Sequence, residues 1–164
     1  MTVGLNDIDI RTTLESGDIG TIVHLHGKIY KEEYDYGISF EAYVAGGLSE
    51  FYQQYDPAKD RIWICEHNER TIGCLLQMHR PGAAQLRYFL LEKNYRGIGL
   101  GQKMMTLYMD FLRLQPRQSS FLWTTHDLTA AAHLYTKFGF ALAEEKVSSA
   151  FGKKVIEQRY VYGL

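Results

Sequence analysis

Six consecutive residues, Arg96-Gly97-Ile98-Gly99-Leu100-Gly101, restrict the fold of this chain more than any other feature. They follow an apolar run, AAQLRYFLLEK, and precede a segment whose Met104, Met105, Tyr108, Phe111 and Leu112 fall on one helical face before Pro116. A strand, a turn with glycine at alternate positions and a helix let backbone approach an anion closely. The first helical turn then offers that anion N–H groups without intrahelical partners. A dinucleotide fingerprint would need glycine at 102, where Gln102 stands, and a P-loop would need Ser or Thr after Lys103, where Met104 stands. The run therefore reads as a phosphate-binding turn of another kind, or as a plain flexible turn that caps a strand and opens a helix.

The surrounding pattern is regular. Ile8, Ile10 and Thr12 alternate as in a short strand, and Asp18 is expected to N-cap a helix through Tyr34. Phe40, Tyr43, Val44, Gly47, Leu48, Phe51, Tyr52 and Tyr55 recur at three- and four-residue steps, a second helix followed by Pro57. RIWICEH and TIGCLLQMH read as a hairpin about the polar Asn68-Glu69-Arg70, and Pro81-Gly82 turns the chain into a third strand. SFLWTT is the next strand, and HDLTAAAHLYTKFGF a helix with Gly139 as its C-terminal cap. ALAEEKV and KVIEQRYVY close the chain as two strands. The order βααβββαβαββ predicts an α+β fold with a mixed sheet, in one domain spanning 1–164.

Composition narrows the function. A formal net charge of -1 excludes the basic footprint that nucleic acid or an anionic membrane demands. The N-terminus carries acidic residues where a secretion signal is basic and apolar, and no apolar stretch approaches about 18 residues, so a soluble, cytoplasmic protein is expected. Cys65 and Cys74 lie inside apolar segments and are expected as reduced core residues. Two residues on from each other, His24 and His26 do not face one another on a helix, so no metal site is expected.

The strand followed by Arg96-x-x-Gly99-x-Gly101 and an amphipathic helix resembles the pyrophosphate-binding motif of the GNAT N-acetyltransferase superfamily. Leu134-Tyr135-Thr136-Lys137-Phe138-Gly139-Phe140 resembles the family's second cofactor motif, and the two agree with the element order over nearly the whole chain. GDIGTIVHLHGKIYKEEY, DPAKDRIWICE and LWTTHDLTAAAHLY are further similar to the acetyltransferase halves of fusions to MarR-type regulators, without a winged-helix half. The resemblance implies a mostly antiparallel central sheet flanked by helices and splayed in the middle to admit acetyl-CoA. It implies that Phe89, Leu90 and Leu91 border the pantetheine arm, and that Arg96, Gly97, Ile98, Gly99, Leu100, Gly101 and Gln102 hold the pyrophosphate. Leu128 stands where many members carry a pantetheine-binding asparagine, with Asp127 and Thr125 as alternative partners.

Tyr135 lies near the cofactor sulfur by the same resemblance, either as the general acid for the thiolate or as a packed helix tyrosine. Gln85 and Arg87 occupy the strand from which the family often supplies a glutamate base, which leaves water, Glu33 or His26 to take the acceptor's proton. Tyr30, Glu33, Tyr34, Tyr36, Arg87 and Phe151 are the candidate acceptor lining, with Arg87 either clamping a substrate carboxylate or pairing with an acidic neighbour. The expected activity is transfer of an acetyl group to the primary amine of a small molecule or amino acid, by direct attack in a ternary complex, in a monomer or homodimer. The alternative is a noncatalytic acyl-CoA or small-ligand sensor on the same fold.

Overall fold

Seven strands and four helices follow one another as expected in the computed structural model, which describes residues 2–164. They are β1 (Asp9–Arg11), α1 (Asp18–Tyr34), α2 (Ile38–Gln54), β2 (Arg61–His67), β3 (Arg70–Arg80), β4 (Ala83–Leu91), α3 (Leu100–Arg113), β5 (Ser120–Thr125), α4 (Thr129–Lys137), β6 (Ala141–Ser148) and β7 (Val155–Tyr162). One sheet runs β1-β2-β3-β4-β5-β7-β6, and every pairing in it is antiparallel except β4 with β5.

Turn chemistry accounts for the connections. The β2–β3 hairpin closes through Asn68 and Glu69 with φ of 50 and 59°, a two-residue turn whose twist matches its strands. Arg70, expected within that turn, already belongs to β3. Helix α4 ends as its sequence predicts: Gly139 is left-handed, its N–H donates to the Thr136 carbonyl, and the Phe140 N–H donates to the Tyr135 carbonyl. The cap expected at Asp18 is corrected. Gly17 holds that position, and Asp18 is the first helical residue. The Asp18 carboxylate accepts bonds from the Glu15 amide at 2.6 Å and from Arg11 at 2.7 and 3.0 Å. Arg11 draws the carboxylate away from the helix amides, and because it also reaches Glu66 at 2.6 Å it ties β1 and β2 to α1.

Helices cover both faces of the sheet, each over its own core. Against one face α1 and α2 pack Ile22, Val44, Leu48 and Phe51 onto Ile62, Ile64, Leu76 and Met78. Against the other, Met104, Met105, Tyr108 and Leu112 of α3 pack onto Trp63, Leu75, Leu86 and Leu122. Cys65 and Cys74 are buried free thiols, and burial pushes Cys65 up to about 12. No helix among the described residues is long and apolar enough to cross a membrane.

Strand β4 is where the sheet opens. Cys74 pairs with Leu90 and Leu76 with Arg87, so Tyr88 and Phe89 both lie opposite Leu75 as a bulge. Tyr88 takes φ of 53°, a left-handed conformation costing about 1–3 kcal/mol in a residue of its size. Its hydroxyl approaches Gly47 of α2 so closely that a Cβ there would lie 1.6 Å away. On its other side β4 pairs with β5 only at Ala84↔Ser120 and Gln85↔Phe121. Strand β5 stays paired with β7 through Thr125, so β4 leaves it and a split opens between them.

Candidate active site

The glycine run lies at one end of this split. Gly97 and Gly99 have φ of 78 and 87°, and Gly99 is the residue from which α3 starts. The first helical bond runs from the Lys103 N–H to the Gly99 carbonyl at 3.0 Å, so the amides before Lys103 have no acceptor within the helix. A Cβ at Gly97 or Gly99 would meet nothing within 4 Å, so these glycines serve the backbone angle and leave open space above it. Gly101 differs. Its Cβ would touch Leu134 at 3.5 Å, Leu91 at 3.7 Å and Phe89 at 3.8 Å, filling the floor of a groove. The loop thus fits an anion at a helix N-terminus.

That groove, a cavity of about 240 Å³, runs from the loop into the split between Tyr34 of α1, Phe89 and Leu91 of β4, and Leu134 of α4. Arg96 closes its outer rim: Nε donates to the Leu91 carbonyl at 2.9 Å, and the two Nη atoms grip Glu33 at 2.8 and 2.9 Å. Leu100 points into the core while its amide stays in the loop, Ile98 packs against the same core, and Leu90 packs beneath α1 and α2. Gln102 accepts a 2.9 Å bond from Lys137, which brings an α4 ammonium to the loop that the sequence reading did not include.

A second cavity opens on the far side of the split. Tyr30, Phe89 and Leu128 line both cavities, so the two meet at those three side chains. Tyr135 is buried in the wall of the second, its ring 6.4 Å from that of Phe89, and burial raises its hydroxyl pKa. Phe151 stacks on Tyr36 at 5.7 Å, and the Gly37 N–H donates to the Phe151 carbonyl at 2.8 Å, so the β6–β7 connection closes this cavity against α2. Thr125 and Asp127 are spent on other partners. The Tyr36 hydroxyl lies 2.5 Å from Thr125 Oγ1 and 3.0 Å from Asp127 Oδ1, and Lys153 pairs with Asp127 at 3.1 Å.

Several expected residues fall elsewhere. Tyr34 faces the groove of the glycine loop and not the second cavity. Glu33 lines neither of these cavities. It borders a surface depression with Lys28 and Glu92, and its carboxylate is held by Arg96. Arg87, by contrast, enters the second cavity with its side chain 9% exposed, over the rings of Tyr88 at 4.6 Å and Tyr43 at 5.4 Å. Its ion-pair partner is Glu50 at 3.6 Å. His26 also lines this cavity. Trp123, Tyr88, Thr124 and Glu157 also line this wall and were not singled out in the sequence. The signal for Trp123 was the alternation of SFLWTT, which turns it away from buried Leu122, whereas Tyr88 depends on the bulge. Among the described residues, no group of three or more His, Cys, Asp or Glu side chains is placed to hold a metal.

Residues 27–140 match the family model described as the acetyltransferase (GNAT) family. The fold is similar to that of an acetyltransferase of the GNAT family from Staphylococcus aureus Mu50, with TM-score 0.75 and 17% identity over 94% of this chain and 97% of that one. An acetyltransferase from Streptococcus agalactiae 2603 has TM-score 0.72 and 21% identity over 98% and 100% of the two chains. Spermidine N-acetyltransferase from Vibrio cholerae, in complex with CoA and spermine, has TM-score 0.64 and 19% identity over 96% and 95%. No curated protein sequence matches the chain.

Proposed function

Because the chain belongs to the GNAT acetyltransferase family, we propose that it transfers an acetyl group from acetyl-CoA to the primary amine of a small molecule. The observation that carries this reading is the meeting of two cavities at Tyr30, Phe89 and Leu128. One leads from an anion-binding helix terminus and the other is lined with aromatic rings, as a donor and an acceptor sharing one reaction point require. Acetyl-CoA, when bound, supplies the activated thioester carbonyl.

The residues have separable tasks. The amides opening α3 hold the pyrophosphate, with the ammonium of Lys137 nearby to offset its charge. Arg96, anchored to Glu33 and to the Leu91 carbonyl, holds the rim between α1 and the loop. Tyr135 stays protonated because it is buried, and can give its proton to the leaving sulfur. Glu33 is assigned to positioning Arg96, because both its oxygens are engaged outside the acceptor cavity.

The test begins with calorimetry of acetyl-CoA binding to the wild type and to a Gly99→Glu, Gly101→Glu variant, followed by an assay of released CoA thiol over an amine panel. Binding lost in the variant, with turnover of an amine by the wild type, is the expected result. Binding without turnover on any amine would favour the sensor reading, and absence of binding would reject both.

A further inference from the structure

Three polar groups line the acceptor cavity with bonding capacity left over among the described residues: His26 Nε2 and the Tyr88 hydroxyl, which have no partner, and Arg87, whose contacts are a shared carboxylate and the Met78 sulfur at 3.9 Å. His26 Nδ1 lies 2.8 Å from the Ile22 carbonyl, which can only accept, so Nδ1 carries the proton and Nε2 presents a lone pair. That Nε2 is buried without a partner. Arg87 is the second group. Its counterion Glu50 stands 3.6 Å away and is already engaged by Arg80 at 2.5 Å, so one carboxylate serves two guanidinium groups. Both His26 and Arg87 lie against the ring of Tyr88, at 5.6 and 4.6 Å, and the Tyr88 hydroxyl is itself buried without a partner.

The cavity is therefore lined by a fixed cation whose carboxylate partner is shared and, across one ring, by an imidazole whose unpartnered nitrogen can only accept. We infer that the acceptor is a free amino acid, bound as a zwitterion with its carboxylate on Arg87 and its amine donating a hydrogen bond to His26 Nε2. This rests on the acetyltransferase reading above and names its substrate class. A guanidinium with half a counterion is costly to bury, and an arriving carboxylate relieves that cost through two parallel N–H bonds. Direction follows from the wall. His26 stacks on Tyr30 at 5.9 Å, and Tyr30 belongs to the junction with the donor groove, so the amine end faces the reaction point. Burial lowers the His26 pKa to about 4, which keeps the Nε2 lone pair available at neutral pH.

The balance of the step is simple. The substrate ammonium loses one proton to solvent, and its nitrogen bonds to the acetyl carbonyl carbon. The C–S bond breaks, the departing thiolate takes the Tyr135 hydroxyl proton, and the nitrogen releases its second proton, which restores that of Tyr135, so that the products are the N-acetyl amino acid, CoA thiol and one proton in solvent. A hydrogen bond from one remaining N–H to His26 orients the nitrogen lone pair toward the carbonyl.

The experiment compares apolar and aromatic L-amino acids with their own carboxamides, which differ only in the charged end, and with spermidine, using release of CoA thiol. The expected result is a kcat/KM at least about 30-fold higher for the preferred amino acid than for its amide. Arg87→Met removes that preference by raising KM for the amino acid, and His26→Phe lowers kcat. Equal or better use of the amide or of spermidine overturns the inference, as does an Arg87→Met variant that weakens acid and amide alike. If acetyl-CoA binds and no amine is acetylated, the acetyltransferase reading fails and thermal melting with CoA and each amino acid decides the inference separately. A rise in melting midpoint that Arg87→Met loses sustains it, and no rise with any amino acid overturns it.

Discussion

His26 illustrates how one residue takes its properties from its burial. Its neighbours are the rings of Tyr30 on its own helix, Phe40 on α2 and Tyr88 on β4, none of them charged, and burial outweighs the single bond to Ile22. The folded protein thus holds the imidazole neutral to about pH 4, while the unfolded chain protonates it near its ordinary value. Stability from this site is complete above that ordinary value and is eroded as pH falls toward 4, by on the order of 3 kcal/mol. Denaturant unfolding of the wild type and of His26→Phe at pH values from 7.5 to 4.5 should show the variant losing less on acidification. A constant difference across that range would mean that His26 is not held neutral. Glu33 makes the opposite case. Its appearance on α1 suggested a base, but its bidentate pairing with Arg96 gives Glu33→Gln an expected effect on KM for acetyl-CoA, with kcat within about threefold of wild type. Loss of a true base would lower kcat by about 10²–10⁴. Steady-state kinetics with acetyl-CoA varied separates the two.

At the scale of elements, helix interiors and the end of α4 were legible because their signals are local, whereas the cap of α1 was not, because Arg11 and the Glu15 amide take up the Asp18 carboxylate. The Gly139 cap of α4 and the run of apolar residues along α3 both appear as the sequence predicts. A matched pair of substitutions checks the reasoning. Gly139→Ala forces a left-handed alanine beside the Tyr162 ring at 3.2 Å and should destabilise by about 1–2 kcal/mol. Gly46→Ala lies on the exposed face of α2 with nothing within 4 Å of its Cβ, and should stabilise by about 0.5–1 kcal/mol. Denaturation midpoints of opposite sign are the expected outcome. The bulge in β4 was not legible, because AAQLRYFLLEK has no glycine or proline to mark it. Tyr88 is held left-handed by what surrounds it: the close approach to Gly47, and the bond from the Cys74 thiol to its carbonyl at 3.1 Å.

For the whole molecule, the consequence of that bulge is a sheet joined at one end of β4 and β5 and open at the other. A ligand that fills the opening bridges α1, β4, the α3 terminus and α4, and so should stabilise all of them together. Acetyl-CoA at about 100 times its dissociation constant is expected to add about 2.7 kcal/mol to unfolding. Hydrogen exchange should slow at the α3 terminus, at Phe89 to Leu91 and in α4, and the Gly99→Glu, Gly101→Glu variant should show neither effect. Protection confined to the glycine loop would mean that the split is not the pantetheine path.

The amino-acid order alone determined the succession of elements, the buried helical faces, the glycine turn and the family. These depend on periodicity and on residues within a few positions of one another, where propensity and backbone sterics act directly. Only the tertiary structure decided which side chains share a cavity. It kept Glu33 out of the cavity lined with aromatic rings, turned Tyr34 to the groove of the glycine loop, divided Glu50 between two arginines and left His26 Nε2 without a partner. Those outcomes turn on distances of a few ångströms between elements far apart in the chain, and on how many partners compete for each polar group once water has been excluded.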